Sequence, residues 1–193
     1  MARATITGVA DTAMGELTGS TALGLHAQAA NDALADAGLK SSDIDGVLCA
    51  YSLTVPHMML SSVFSEYYGI KPSFNAALNA GGATACIMLA NAVALVESGM
   101  CRHVLCLTGD NRLSGMTRDG AVAALAGVGH PQLEQPYGMS VPAAYALVAQ
   151  AYMHEYGVSR DELSAFSVNA RTHAGNHPKA YKRDPITGED VAT

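Results

Sequence analysis

The sequence predicts an α/β protein built on a layered or doubly wound sheet, and two patterns along the chain predict it. Short apolar runs of strand length alternate with longer segments whose apolar residues recur at helical spacing. Glycine or polar residues stand at the boundaries between the two kinds of segment. The 193 residues are 49% hydrophobic and 15% charged, which is enough apolar material for one sizeable core.

The first part of the chain contains all the predicted strands. They are Ala4–Ala10, Val47–Ala50, Phe74–Leu78 and His103–Leu107. The helices predicted between them begin after Ser20 or Thr21 and end before Gly38, and span Met58–Tyr68 and Ala83–Ser98. Strand and helix alternate throughout, as a parallel sheet requires.

The second part of the chain has a different character. Residues 109–138 are rich in glycine and proline and are predicted as an inserted loop region. Ser140 is a candidate N-cap of a helix continuing through Ala144–Tyr156, and Ser159 starts a capping box for another helix to about Ala174. Residues 176–193 are polar and are predicted as a linker toward a missing second half.

Composition excludes several classes of function. The net charge is −6, the pI is about 5.5, and no cluster of lysine and arginine predicts binding to nucleic acid. No signal peptide and no membrane-length apolar run is evident, so a cytoplasmic protein is predicted. The four cysteines lack metal-ligand spacing and are interpreted as reduced, buried residues.

The turn before the third predicted helix is where a nucleophile is expected. Strand Phe74–Leu78 leads into the small residues 79–85, and the helix that follows ends at Gly99. A thiol at such a helix N-terminus becomes acidic and nucleophilic because the helix dipole favours its anion. The turn itself contains no cysteine.

This pattern resembles the nucleophile turn of thiolases, especially of the sterol-carrier-type branch. Counting back from Gly99 puts Gly82 at the position of the family's cysteine, with Ala83 and Thr84 after it. Residues 24–47 and 155–180 are also similar to family segments, so the resemblance extends over nearly the whole chain. It implies a thiolase-like layered α-β-α fold in which 1–193 is the N-terminal domain.

The resemblance implies a substrate class and a reaction. The substrate is an acyl-CoA thioester, with no further cofactor and no metal. The reaction without a cysteine is carbon–carbon cleavage of retro-aldol, or lyase, type in lipid or steroid side-chain degradation. Members of this cysteine-less type work with a small zinc-ribbon and OB-fold partner protein. Family members also dimerise through the strand that corresponds to Phe74–Leu78, so a homodimer or heteromer is implied.

The substrate-binding candidates fall in two segments. Gly82, Ala83 and Thr84 form the turn, whose N–H groups are suited to holding an oxyanion or enolate. Tyr137, Gly138 and Met139 resemble the family segment that approaches the turn. Two simpler interpretations stay open: glycine at 81 and 82 merely permits a tight turn, and Tyr137 is a surface anchor.

The catalytic residues are not identified by the sequence. Cys86 is one helical turn beyond Gly82, too deep to reach a thioester, and is preferred as a buried residue. His130 is a weak candidate for proton transfer, because its Gly-His-Pro context differs from the family's. Residues 109–111, Gly-Asp-Asn, are interpreted as a plain turn. Two alternative functions remain: an acetyl-CoA acyltransferase with catalytic residues in a missing half, and a non-catalytic acyl-CoA-binding subunit.

Overall fold

A computed structural model describes residues 3–192 of the chain. They divide into two compact units, unit 1 up to Met116 and unit 2 from Thr117. The span 1–193, which the sequence predicts as one thiolase-like domain, comprises these two units. No helix among the described residues combines the length and hydropathy needed to cross a membrane.

Unit 1 contains a sheet of three parallel strands in the order β2-β1-β3. They are β1 (Gly46–Ala50), β2 (Phe74–Leu78) and β3 (Val104–Leu107). Every residue of the central strand β1 is buried, as its continuous apolar run predicts. Three of the four predicted strands are therefore confirmed.

The prediction of a strand at Ala4–Ala10 is wrong. Among the described residues this segment pairs with no strand, and it runs instead along the first helix. The N–H of Val9 donates to Oδ2 of Asp36 at 2.9 Å, and a Cβ at Gly8 would lie 2.2 Å from the carbonyl oxygen of Ala33. A helix side chain thus satisfies a backbone donor that the apolar pattern assigned to a sheet.

Helices cover both faces of the sheet, which confirms the layered α/β arrangement. They are α1 (Ala22–Ala37), α2 (Leu60–Tyr68) and α3 (Thr84–Glu97). Leu34 of α1 and Phe64 of α2 belong to one core cluster with Val47 and Cys49, whereas Met88 of α3 packs with Leu48 in a second cluster. The alternation of side chains along β1 separates the two cores.

The outer face of α3 is apolar but exposed, and this corrects the expectation that Cys86 is buried. Thr84, Met88 and Leu95 are the buried residues of the helix. At about 100° per residue these three share one face, and Cys86 projects from the opposite side. Cys86 is accordingly exposed, together with Val93 at 43%.

The predicted loop region 109–138 is partly helical, so that prediction is wrong in part. It contains α4 (Arg112–Gly115), α5 (Arg118–Ala126) and a 3₁₀ turn at Gln135–Tyr137. The hydroxyl of Thr117 accepts the N–H of Gly120 and caps α5. Alanine occupies four of the six positions 121–126, and its helix propensity outweighs the flanking glycines.

Unit 2 continues with three helices, α6 (Val141–Tyr156), α7 (Arg160–Asn176) and α8 (Gly188–Ala192). The predicted caps are confirmed, since Ser140 caps α6 and Ser159 forms a capping box with Glu162. The helix at 188–192 lies within the segment predicted as a linker. Its role as a linker stays a prediction.

Candidate functional site

A glycine turn connects β2 to α3 and is closed by one buried hydroxyl. Residues Gly81–Ala83 form a 3₁₀ turn, and Thr84 begins the helix with only 4% of its surface exposed. The Thr84 hydroxyl donates to the carbonyl of Gly81 at 2.7 Å and accepts the N–H of Ala80 at 2.9 Å. Both sides of the turn are therefore tied to the first residue of α3.

Gly82 is not required by the backbone. Its φ does not lie in the left-handed region, whereas that of its neighbour Gly81 is +56°. A Cβ at Gly82 would meet no heavy atom of the described residues within 4 Å. The tight-turn explanation therefore accounts for the glycine at 81 but does not explain the glycine at 82.

The N–H of Gly82 is the donor of this turn that has no partner among the described residues. The N–H groups of Gly81, Ala83 and Thr84 donate to Oδ1 of Asn79 at 3.4 Å, to the carbonyl of Ala80 at 3.2 Å and to the carbonyl of Gly81. The first N–H groups of a helix have no partner within the helix, and no side chain of the described residues caps the N-terminus of α3. The helix dipole adds about half a positive charge at the same end. The turn is thus suited to an oxyanion or an enolate.

The turn opens onto a cavity of about 690 Å³ in unit 1, at the carboxyl ends of the parallel strands. The residues that line it include Gly82 and Thr84 of the turn, but not Ala83. Four other segments contribute walls: residues 10–15, helix α1, the loop after β1 and the loop after β3. Two of the three turn residues predicted to bind substrate are therefore at the cavity.

A buried histidine belongs to the α1 wall. His26 is 2% exposed, and its Nε2 lies 3.1 Å from the carbonyl oxygen of Gly109, so Nε2 carries the proton. Its Nδ1 has no partner among the described residues. Burial lowers the pKa of His26, although the bond to Gly109 and the charge of Asp110 oppose the shift. The ring is neutral at pH 7.

Asp110 is the charged group of the β3 wall. Burial acts to raise the pKa of this carboxyl, but bonds donated by Thr54, Leu53, Ser52 and Arg112 together outweigh it and lower the pKa below its ordinary value. The Nε of Arg112 lies 3.3 Å from Oδ2, and the Asp110 side chain is 8% exposed. Asp110 is therefore a carboxylate at neutral pH.

None of the described residues that line this cavity is a cysteine. Cys86 is exposed but does not belong to the lining. Burial raises the pKa of Cys106 to about 11, and burial together with the nearby Cys106 raises that of Cys49 to about 12. These two thiols are protonated at neutral pH, so neither supplies a nucleophile.

The other predicted binding residues lie in unit 2. Tyr137, Gly138 and Met139 line a mostly apolar cavity of about 350 Å³ together with Leu133 and Leu147. Tyr137 is 87% exposed. The structure brings these three residues together, in a cavity different from that of Gly82.

His130 lines neither of these two cavities as far as the described residues show. It is exposed in unit 2, and its Nδ1 accepts the N–H of Gln132 at 3.2 Å. No group of three or more His, Cys, Asp or Glu side chains within residues 3–192 is arranged to hold a metal ion. A proton-transfer role for His130 stays a prediction without support from its surroundings.

Sequence reasoning missed two polar residues of the cavity wall, although both carried a signal. His26 falls within the apolar stripe of α1, beside Leu25, Ala30 and Leu34, where a polar side chain is unexpected. Asp110 follows the carboxyl end of a buried parallel strand, the edge at which ligands bind in α/β proteins. The glycine before Asp110 is also a turn signal, and it favours the interpretation of residues 109–111 as a plain turn.

The chain is similar to lyases and aldolases over nearly its whole length. It is 35% identical to "17-hydroxy-3-oxo-4-pregnene-20-carboxyl-CoA lyase" of Mycobacterium tuberculosis, over 97% of this chain and 50% of that protein. It is 32% identical to "steroid side-chain-cleaving aldolase" of Thermomonospora curvata, over 97% of this chain and 49% of that protein. The chain thus spans about half the length of the curated relatives it matches.

The fold comparison agrees. The solved "Ltp2-ChsH2(DUF35) aldolase" superposes with a TM-score of 0.78 at 31% identity, covering 97% of this chain and 48% of that one. The family model described as "Thiolase, N-terminal domain" matches residues 2–187. The predicted thiolase-like fold is confirmed, and the chain belongs to the thiolase N-terminal domain family.

Proposed function

We propose that this chain is the N-terminal part of an acyl-CoA lyase that cleaves a carbon–carbon bond by a retro-aldol reaction without a cysteine nucleophile. The observation that carries the proposal is Gly82. It lines the cavity at the position expected for the family's cysteine, and the backbone there does not require a glycine. A protein that formed an acyl-enzyme would need a thiol at this place.

The retro-aldol reaction needs what this turn provides. A base removes the proton of a hydroxyl on the β carbon, and the bond between the α and β carbons breaks. The electron pair passes to the α carbon and its thioester, which leaves as an enolate and is then protonated. The N–H of Gly82, at the positive end of the α3 dipole, would hold the enolate oxygen as its charge develops.

Neither of the two buried titratable residues of the cavity wall, His26 and Asp110, is suited to be the base. The Nε2 proton of His26 is donated to Gly109, and its unpartnered Nδ1 is buried, where the hydroxyl of a substrate does not reach it. Asp110 is surrounded by hydrogen-bond donors. Relatives are about twice as long as this chain, so we propose that the acid–base groups lie in the part of the protein that corresponds to their second half.

The substrate class is proposed from the relatives. One is named a lyase of a steroid 20-carboxyl-CoA thioester and another a steroid side-chain-cleaving aldolase. We propose a CoA thioester with a hydroxyl on its β carbon, from a steroid or similar lipid side chain, as the substrate. No cofactor beyond the coenzyme A of the substrate is needed for this reaction.

Two surfaces of unit 1 support assembly with further protein. Strand β2 is at the edge of the sheet, with one side unpaired among the described residues. The outer face of α3 exposes Leu89 at 47% and Val93 at 43%. We propose a homodimer or heteromer. Since the named aldolase structure includes a DUF35 protein, a zinc-ribbon and OB-fold protein is the heteromeric partner we propose.

The test uses the assembly purified through this chain and the thioester named for the mycobacterial relative, 17-hydroxy-3-oxo-4-pregnene-20-carboxyl-CoA. We expect propionyl-CoA and the C17 ketone as products, detected by mass spectrometry. Prior treatment with iodoacetamide is expected to leave the rate unchanged, because the reaction uses no thiol. Loss of activity on alkylation, or a covalent acyl adduct formed from acetyl-CoA, would contradict the proposal and favour the acyltransferase alternative.

A non-catalytic acyl-CoA-binding subunit is the remaining alternative. It predicts that the assembly binds CoA thioesters and turns none of them over. Turnover of the steroid thioester that is abolished when Gly82 is replaced by a bulky residue, with the fold intact, would exclude it.

A further inference from the structure

The three residues 109–111, which the sequence marks as a turn, connect three walls of the cavity in unit 1. The carbonyl of Gly109 accepts the Nε2 proton of His26 on α1. The Asn111 amide donates to the carbonyls of Leu17 at 3.1 Å and Ser20 at 2.7 Å. These bonds attach the loop after β3 to α1 and to the segment that precedes it.

Asp110 attaches the same loop to the loop after β1. Its Oδ2 accepts the N–H of Leu53 at 2.7 Å. Its Oδ1 accepts the hydroxyl of Ser52 at 2.9 Å and both the N–H, at 3.3 Å, and the hydroxyl of Thr54. One carboxylate therefore determines the path of residues 52–54, which directly follow the cavity residue Tyr51.

The carboxylate has little capacity left for chemistry. Oδ1 also accepts the N–H of Asn111 at 3.1 Å, and Oδ2 accepts Nε of Arg112 at 3.3 Å. A carboxylate offers about four acceptor sites, and the donors around Asp110 occupy them. A base must have a free lone pair that faces the proton it removes. Asp110 is thus suited to holding the walls in place and not to proton transfer.

We propose that Asp110 is a positioning residue, whose bonds to the loop after β1 hold the cavity in the shape that binds a CoA thioester. The inference rests on the proposed function, because it takes the thioester as the ligand. Asp110 is thus a second element of the proposed site, outside the glycine turn, and it acts through Thr54 and Leu53.

Thr54 allows the positioning role to be tested without changing the cavity surface. Its hydroxyl bonds to Asp110, but Thr54 is not among the residues that line the cavity. Thr54→Val removes the hydroxyl and keeps the shape of the side chain, whereas Thr54→Ser keeps the hydroxyl. The two variants therefore separate the bond to Asp110 from the volume of the side chain.

Asp45 offers a matched control at the other end of the sheet. Its carboxylate accepts the N–H of Arg102, at 2.8 Å from Oδ2, and the N–H of His103, at 2.8 Å from Oδ1. It therefore ties two loops together by backbone amides, as Asp110 does, but at the amino ends of β1 and β3. Asp45→Asn is expected to lower stability without changing the cavity.

The experiment measures binding of propionyl-CoA by calorimetry to the assembly purified through this chain, with the melting temperature of each variant. Thr54→Val is expected to weaken binding about tenfold, the effect of one bond to a charged group, and Thr54→Ser to bind like the wild type. Asp45→Asn is expected to melt at a lower temperature and to bind normally. Equal binding by Thr54→Val and Thr54→Ser would overturn the proposal. It would also be overturned if Asp45→Asn bound propionyl-CoA as weakly as Thr54→Val when the two variants lose the same amount in melting temperature.

Hydrogen exchange separates this inference from the proposed function. The N–H of Leu53 is expected to exchange faster in Thr54→Val than in Thr54→Ser, while the amides of Val47–Cys49 keep their rates. If the wild type binds no propionyl-CoA, the proposed function is contradicted, and the exchange of Leu53 then decides by itself whether Asp110 holds the loop. Unchanged exchange at Leu53 would overturn the positioning role in either case.

Discussion

Gly81 and Gly82 are neighbours in one turn, yet only Gly81 has a φ that favours glycine, at +56°. Glycine therefore occupies the two positions for different reasons. The first is required by the conformation of the chain, and the second leaves open space at the floor of a cavity. The absence of a side chain at Gly82 is thus a feature of the site and not of the fold.

We expect Gly82→Ala to have little effect on stability and Gly81→Ala to destabilise unit 1 by about 1 kcal/mol, because only the second forces a side chain into the left-handed region. Urea denaturation of the two variants measures the difference. Equal losses of stability would show that Gly82 also has a backbone role.

Gly82→Cys is expected to restore a reactive thiol. The new side chain would stand at the N-terminus of α3, where the helix dipole lowers the pKa of a thiol. Its rate of alkylation by iodoacetamide near pH 7, followed by mass spectrometry, should exceed that of Cys86 in the same molecule. Cys86 provides the internal control because it is exposed on the side of the same helix. A slower reaction at residue 82 would contradict the proposed orientation of the turn.

Thr84→Val is expected to destabilise the turn by roughly 1–3 kcal/mol, since it leaves the N–H of Ala80 without its acceptor and removes one of the two bonds to the carbonyl of Gly81. Thr84→Ser retains both bonds and should lose much less. The free energy of unfolding of the pair is the measurement, and similar losses in both variants would show that the methyl group matters more than the hydroxyl.

The stability of unit 1 is expected to fall as the pH drops below about 6.5, because burial lowers the pKa of His26 in the folded chain. The unfolded chain takes up a proton at His26 first, so the contribution is complete above the ordinary pKa and is lost as the pH falls through the lowered one. His26→Gln keeps a side-chain donor for Gly109. In this variant the free energy of unfolding should change less with pH below about 6.5. Asp110 affects stability in a separate, more acidic pH range. Because its pKa is lowered in the folded chain, its contribution to the free energy of unfolding is complete above the ordinary value of 3.8 and is lost as the pH falls below it.

Alkylation of the native chain is expected to modify Cys86 well before the other cysteines. Cys86 is exposed, whereas Cys49 and Cys101 are buried, and burial raises the pKa of Cys49 and Cys106. Peptide mapping after brief treatment with iodoacetamide should find one main adduct, which Cys86→Ser abolishes. An early adduct at Cys49 would mean that the core cluster opens readily.

Short sequence patterns predicted the elements that are formed by interactions between residues close together in the chain. The capping box of Ser159 with Glu162 and the strand Phe74–Leu78 are found as predicted, and the first helix is capped by Thr21, one of its two predicted N-caps. Each of these features is set by neighbouring residues. Cys86 shows the limit of this reasoning. Helix α3 is apolar all round, so its sequence does not tell which face packs on the sheet, and the buried face proved to be that of Thr84, Met88 and Leu95.

The sequence by itself determined that the chain alternates strands and helices, where most of them begin and end, and that no cysteine stands in the turn before α3. Only the tertiary structure decided that residues 4–10 lie along α1 and that Gly82, His26 and Asp110 meet at one cavity. The physical reason is the distance along the chain. Gly109 bonds to His26 across 83 residues, and such contacts depend on the packing of the whole sheet, which no local pattern of residues encodes.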